Sequence, residues 1–194
     1  MPQLHTLLYA NMHQRIPKNI IEVGSGHSTR FMARTASDGL LDTKLVAIDP
    51  APRASLDGLN IMIENKTVQE MDVRYFDLLE PGDILFIDSS HILMPATDVD
   101  FLFNRVLPRL QDGIIIHLHD IFLPDDYPKE WQWRGYHEQL IVVTLLQARE
   151  FNIFFPSNYV ATRMGAYLRG TLLGELDRPV DWFETNLWLK KTVQ

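Results

Sequence analysis

Residues 20–30 read IIEVGSGHSTR: an apolar run, the turn Gly24-Ser25-Gly26, and a segment of helical character that begins near Ser28. A buried strand, a glycine turn and a hydroxyl-capped helix in that order start a βα unit, and the glycines let the backbone bend sharply and approach a ligand that a Cβ would hold away. The rest of the chain repeats the pattern. Strands are predicted at residues 19–23, 44–48, 60–64, 83–87, 113–119, 151–155 and 187–190, with helices over 28–36, 96–107 and 136–149. The runs IIEV, LVAI, ILFI and IIIHL are apolar at consecutive positions, as central parallel strands covered by helices on both faces should be. The expected fold is therefore α/β, a doubly wound, Rossmann-like seven-stranded sheet.

Nothing in the composition divides residues 1–194 into more than one domain. The first strand starts near Asn19, which leaves a short N-terminal region and an expectation that part of the ligand cover is missing. Residues 122–135, FLPDDYPKEWQWRG, carry two prolines, two adjacent acids and two tryptophans, a composition expected to exclude a regular element. Because this segment follows a strand end, it is a candidate active-site loop or lid.

No stretch reaches the roughly 18 uncharged apolar residues of a membrane helix, and the N-terminus does not read as a secretory signal. Cysteine is absent, which removes disulfides, thiolate zinc sites and a Cys nucleophile. A net charge of −7 opposes a sequence-independent grip on nucleic acid, so the expected partner is a small molecule and the expected setting cytoplasmic. A homo-oligomer stays compatible with the sequence.

Two acids sharpen the reading of the glycine turn. Glu22 lies in an otherwise apolar strand, where an unpaired carboxylate is costly unless the strand end opens onto a polar ligand. Asp49 ends the second strand, where an acid can accept both hydroxyls of a ribose. A dinucleotide site wants a third glycine where this chain has Thr29, while the sulfonium and ammonium of S-adenosylmethionine (SAM) suit an acidic neighbourhood.

EVGSGHS resembles the first motif of class I SAM-dependent methyltransferases, LVAIDP their second-strand acid, and DILFIDSSH their fourth-strand motif, in the family's order along the chain. FNIFFPSNYV followed by NLWLKK resembles the antiparallel sixth and seventh strands that close that family's sheet, implying a mostly parallel sheet with an antiparallel terminal strand. The resemblance implies SAM contacts from Glu22, Gly24, Ser25, Gly26, Ser28 and Asp49, with Val68 and Gln69 near the adenine. Ser28 stands where the commonest form of the motif has its third glycine.

In the sheet order that the resemblance implies, Asp88 and the pair His119-Asp120 meet at one edge, since adjacent strands lie roughly 4.8 Å apart. The spacing of Asp88 and His91, with an acid after the fifth strand, resembles the metal-dependent O-methyltransferases that act on macrolide sugars. That branch implies Mg²⁺ or Mn²⁺ held by Asp88 and Asp120, with His119 at a position that is usually acidic, and His91 as the base that takes the acceptor's hydroxyl proton. The alternatives for these residues are that Asp88 meets the SAM amino group or caps a helix, and that His117 and His119 are hydrogen-bonded strand residues. Tyr127, Trp131, Trp133 and Tyr136 form either an aromatic wall for the acceptor or core packing, and Asp125 and Asp126 are expected to be solvated.

The expected function is thus methyl transfer from SAM to a hydroxyl of a small molecule such as a sugar or natural product. N-methylation and a catalytically silent SAM-binding or interaction module remain as alternatives. An NAD-dependent oxidoreductase is disfavoured by Thr29 and by the terminal strand pair.

Overall fold

The computed structural model describes residues 2–175 and 183–192. Its strands are β1 (Asn19–Val23), β2 (Lys44–Ile48), β3 (Met62–Glu64), β4 (Ile84–Ile87), β5 (Ile115–Leu118), β6 (Phe151–Pro156) and β7 (Leu187–Lys191). They form one sheet in the order β3-β2-β1-β4-β5-β7-β6, in which β7 alone runs against its neighbours. The order reverses between β1 and β4. That switch point is where a doubly wound sheet opens a crevice beyond the carboxyl ends of its strands, and it brings the Gly24 turn beside Asp88.

Alternate residues of each strand feed two cores. Ile21, Val23, Leu85, Ile87, Ile116, Leu118, Leu187 and Leu189 face one side, and Ile20, Ile84, Phe86, Ile115 and Trp188 the other. The first side is covered by α3 (Asp98–Phe101) with its continuation, and by α4 (Glu138–Gln147). The second is covered by α1 (Pro2–Arg15) and α2 (His27–Asp38). Among the described residues, no helix is long and apolar enough to cross a membrane.

Four expectations need correction. The N-terminal region is not an absent cover: α1 buries Leu4, Leu8 and Met12, spaced one helical turn apart, in the second core and packs on α2. The helix expected over 96–107 is α3, a π-helical turn at Leu102–Val106 and a 3₁₀ turn at Leu107–Arg109, a path that keeps Val99, Leu102, Phe103, Val106 and Leu107 all buried. Residues 122–135 contain a 3₁₀ helix at Lys129–Arg134, which ends at Gly135 in the left-handed conformation.

That segment is also tied down rather than free. The Phe122 N–H donates to Gln139 Oε1 at 2.8 Å, and Asn158 Nδ2 donates to the Phe122 carbonyl at 2.6 Å. Asp125, expected to be solvated, keeps a partly exposed side chain and also accepts from Asn158 at 3.0 Å and from both arms of the Arg163 guanidinium. Asn158 and Arg163 lie on α5 (Ser157–Arg163), so the segment is a wall buttressed by α4 and α5.

Candidate active site

Two cavities open at the carboxyl edge of the sheet. The first, about 460 Å³, is lined by the Gly24-Ser25 turn, Asp49 at the end of β2, Val68 and Gln69 on a 3₁₀ turn, and Asp88 after β4. Gly24 has φ +81°, and a Cβ there would come within 2.1 Å of the Asp88 carbonyl oxygen. The glycine is therefore required by the approach of two strand ends as well as by the turn. Asp49 organises the turn: Oδ2 accepts from the Ser25 N–H at 2.7 Å and the Ser25 hydroxyl at 2.8 Å, and Oδ1 accepts from the Ala51 N–H at 2.8 Å. A carboxylate has about four acceptor sites, so room for a ligand hydroxyl remains.

Thr29, the residue that replaces a dinucleotide glycine, is fully buried and its hydroxyl accepts the Gly26 N–H at 2.9 Å. It closes the first turn of α2 with a side chain that a glycine lacks. Glu22 lines neither cavity. It is fully buried beneath them, accepts the Ser28 hydroxyl at 2.5 Å through Oε1, and leaves Oε2 without a partner. Burial pushes its carboxyl up to about 8, against the pull of Ser28 and Thr29.

A raised acid stabilises the fold fully below the unfolded pKa and loses that contribution as pH climbs through the folded value. Glu22→Gln, which removes the titration, is therefore expected to gain on the wild type between about pH 4.5 and 8. The gap should reach on the order of a few kcal/mol in urea denaturation. Parallel pH profiles for the two proteins would remove this account of Glu22.

The second cavity, about 610 Å³, shares Ser25, Arg53 and Asp88 with the first. Its other walls come from Leu4 and His5 of α1, Gly26, His27 and Ser28 at the start of α2, Phe86 in β4, His119 and Asp120 after β5, and Trp131, Phe183 and Thr185. Trp131 and Phe183 meet edge to face at 6.0 Å. The guanidinium of Arg134 lies 4.0 Å from the Trp131 ring centroid, on a residue that does not line the cavity, and fixes that indole by cation–π contact. Of the four aromatics expected in a wall, only Trp131 lines this cavity; Trp133 is 81% exposed, and Tyr127 and Tyr136 pack around Trp131 and Phe122.

His91 lines neither cavity and is 2% exposed. Its Nδ1 lies 2.7 Å from Glu138 Oε2, while its Nε2 lies 3.3 Å from Asp88 Oδ1 and 3.7 Å from Asp120 Oδ2. Burial alone would lower this imidazole, but Asp88 and Glu138 together raise it to about 10. A base must be neutral and reach the acceptor, so the geometry does not suit the base role expected for His91. Asp88, although burial pushes it up, is held below the usual carboxylate range by His119, His91 and Arg53. Glu138, at the start of α4, is raised by burial and was missed in the sequence because an acid in the first turn of a helix is ordinary there.

The metal set expected from Asp88, His119 and Asp120 does not assemble. Among the described residues, no three His, Asp or Glu side chains are grouped to hold an ion. Asp120 Oδ1 accepts from Thr185 at 3.1 Å and lies 3.6 Å from His119 Nε2, and Oδ2 faces His91 and, at 4.0 Å, Arg134. The other ring nitrogen of His119 lies 3.4 Å from His117 Nε2, and His117 is fully buried between Phe86 and Trp188.

The profile of a family described as "Methyltransferase domain" matches residues 21–121. No curated protein matches the chain. Solved structures do. A SAH-bound methyltransferase of Podospora anserina, PaMTH1, superposes with a TM-score of 0.58 at 17% identity, over 98% of this chain and 78% of that one. The SAM complex of the O-methyltransferase TomG of Streptomyces achromogenes, involved in tomaymycin synthesis, gives 0.58 at 16%, over 99% and 80%. The plantazolicin methyltransferase BpumL, with SAH and a triazolic desmethylPZN analogue, gives 0.57 at 15%, over 98% and 84%. At these identities the likeness establishes the fold.

Proposed function

Because this chain belongs to the methyltransferase-domain family, we propose that it moves the methyl group of SAM onto a hydroxyl of a small molecule, with the donor in the first cavity and the acceptor in the second. The observation that carries the reading is the shared boundary: Ser25, Arg53 and Asp88 line both cavities, so ligands in each would touch where a methyl group can pass. TomG, of the same fold, is an O-methyltransferase and supports the choice of a hydroxyl.

Bound SAM would supply a methyl group on a positively charged sulfur. Asp49 would accept a ribose hydroxyl, Val68 and Gln69 would flank the adenine, and the Gly24 backbone and Asp88 would meet the amino-acid end. Trp131 and Phe183 exclude water from one side of the acceptor, and α1 closes the other through Leu4 and His5. Displacement at a methyl group depends chiefly on alignment, which two adjoining cavities provide. His119 is the imidazole that reaches the acceptor, and its contacts of 3.4 and 3.6 Å are loose enough to admit a hydrogen bond from a hydroxyl. It takes the proton in this reading. A cytoplasmic setting with a freely diffusing acceptor suits these features.

Calorimetric titration of SAM, S-adenosylhomocysteine and NAD tests the donor assignment, with binding of the first two and not the third as the expected result. Asp49→Ala should weaken SAM by about 1.5 to 3 kcal/mol, the range for hydrogen bonds to a charged acceptor. Unchanged affinity in a folded variant would remove Asp49 from the ribose site. His119→Asn should lower kcat by about 10² to 10⁴-fold and leave SAM affinity alone. A silent module would bind SAM and turn over no acceptor.

A further inference from the structure

Three carboxylates and one imidazole converge behind the junction of the cavities. Asp88 follows β4, Asp120 follows β5, Glu138 opens α4, and His91 sits among them at φ +61°. Both ring nitrogens of His91 face carboxylate oxygens, Nδ1 that of Glu138 at 2.7 Å and Nε2 those of Asp88 and Asp120 at 3.3 and 3.7 Å. Nδ1 is within hydrogen-bond distance of Glu138 and Nε2 is within ion-pair range of both Asp88 and Asp120, and a buried ring flanked by three acids on both of its nitrogens is the arrangement that favours the imidazolium cation. We propose that His91, seated by Glu138, is the built-in counter-ion of Asp88 and Asp120, and fills the electrostatic place that a divalent metal would otherwise take between them.

The surroundings agree with this assignment. Ser89 donates its hydroxyl to the second oxygen of Glu138 at 3.4 Å, and the Tyr136 ring packs on the His91 ring at 4.4 Å, so both partners are fixed in orientation. Arg134 lies 4.0 Å from Asp120, a second positive group facing the same carboxylate. A hard divalent ion would need the oxygens that these groups already face, and it would sit beside a fixed positive ring in a poorly screened interior. The inference rests on the methyl-transfer reading only in taking Asp88 and Asp120 as the floor of the acceptor cavity.

Mn²⁺ added to the purified full chain at pH 7, with binding followed by loss of the free-ion electron paramagnetic resonance signal, tests it without donor or acceptor. The wild type is expected to take up Mn²⁺ no more tightly than Asp120→Asn. His91→Ala, which leaves the acids without their cation, is expected to bind at least about tenfold more tightly; His91→Asn, which keeps a donor but no charge, should do the same and serves if the alanine variant does not fold. Wild-type binding that Asp120→Asn abolishes would overturn the proposal. So would a folded neutral variant whose Mn²⁺ affinity equals that of the wild type. Because Mn²⁺ binding is read apart from turnover, an inactive enzyme and a wrong counter-ion assignment give different results.

Discussion

Gly24→Val should abolish SAM binding and lower folding stability by about 2 to 6 kcal/mol, the sum of a side chain forced into a left-handed backbone and an overpacked contact. The sequence points to a simpler effect, a side chain filling the ligand's approach. The structure adds that a Cβ at Gly24 would lie 2.1 Å from the Asp88 carbonyl oxygen, so the two strand ends must part before any ligand arrives. Urea denaturation without SAM separates the effects. A Gly24→Val protein as stable as the wild type would mean that the strand ends are not pinned there, even if binding is lost.

Glu138→Ala should destabilise the fold by about 3 to 5 kcal/mol at pH 7, the range for removing one partner of a buried ion pair. Glu138 is fully buried and holds His91 at 2.7 Å, so the variant leaves His91 without its nearest carboxylate. The sign of the pH dependence follows from a raised histidine. Its contribution is fully present below the unfolded pKa of about 6.5 and is lost as pH rises through about 10. The stability gap between wild type and Glu138→Ala should therefore be widest below about pH 6.5, narrow as pH rises from there to about 10, and level off above it. A gap that stays constant from pH 6 to 10.5 would mean that Glu138 supports the fold by packing alone.

Much of the first cavity was legible in the sequence because it is local. The turn after β1, the acid ending β2 and the segment carrying Val68 and Gln69 each follow a strand whose apolar run announces it, and the end of a parallel strand is where a ligand crevice must lie. The second cavity was less legible, because its walls come from distant segments. Leu4 and His5, Arg53, Trp131 and Phe183 are far apart in the chain and share no pattern. The helix α1 did carry a signal in the four-residue spacing of Leu4, Leu8 and Met12, and it passed unread beside the stronger strand pattern that begins at Asn19.

The roles of the charged residues mark the boundary most clearly. By itself the sequence determined that the chain is a doubly wound α/β sheet with a glycine turn at its switch point, since strand and helix periods and glycine conformations act over a few residues. That Asp88 and the pair His119-Asp120 meet at one edge followed only from the strand order that the family resemblance implies. Only the tertiary structure decided what they do. A carboxylate and an imidazole can be ligand, base or ion pair, and the choice depends on distances of about 3 Å and on burial set by elements remote in sequence. Glu138, 47 residues beyond His91, holds the ring among acids, while His119 lines the second cavity.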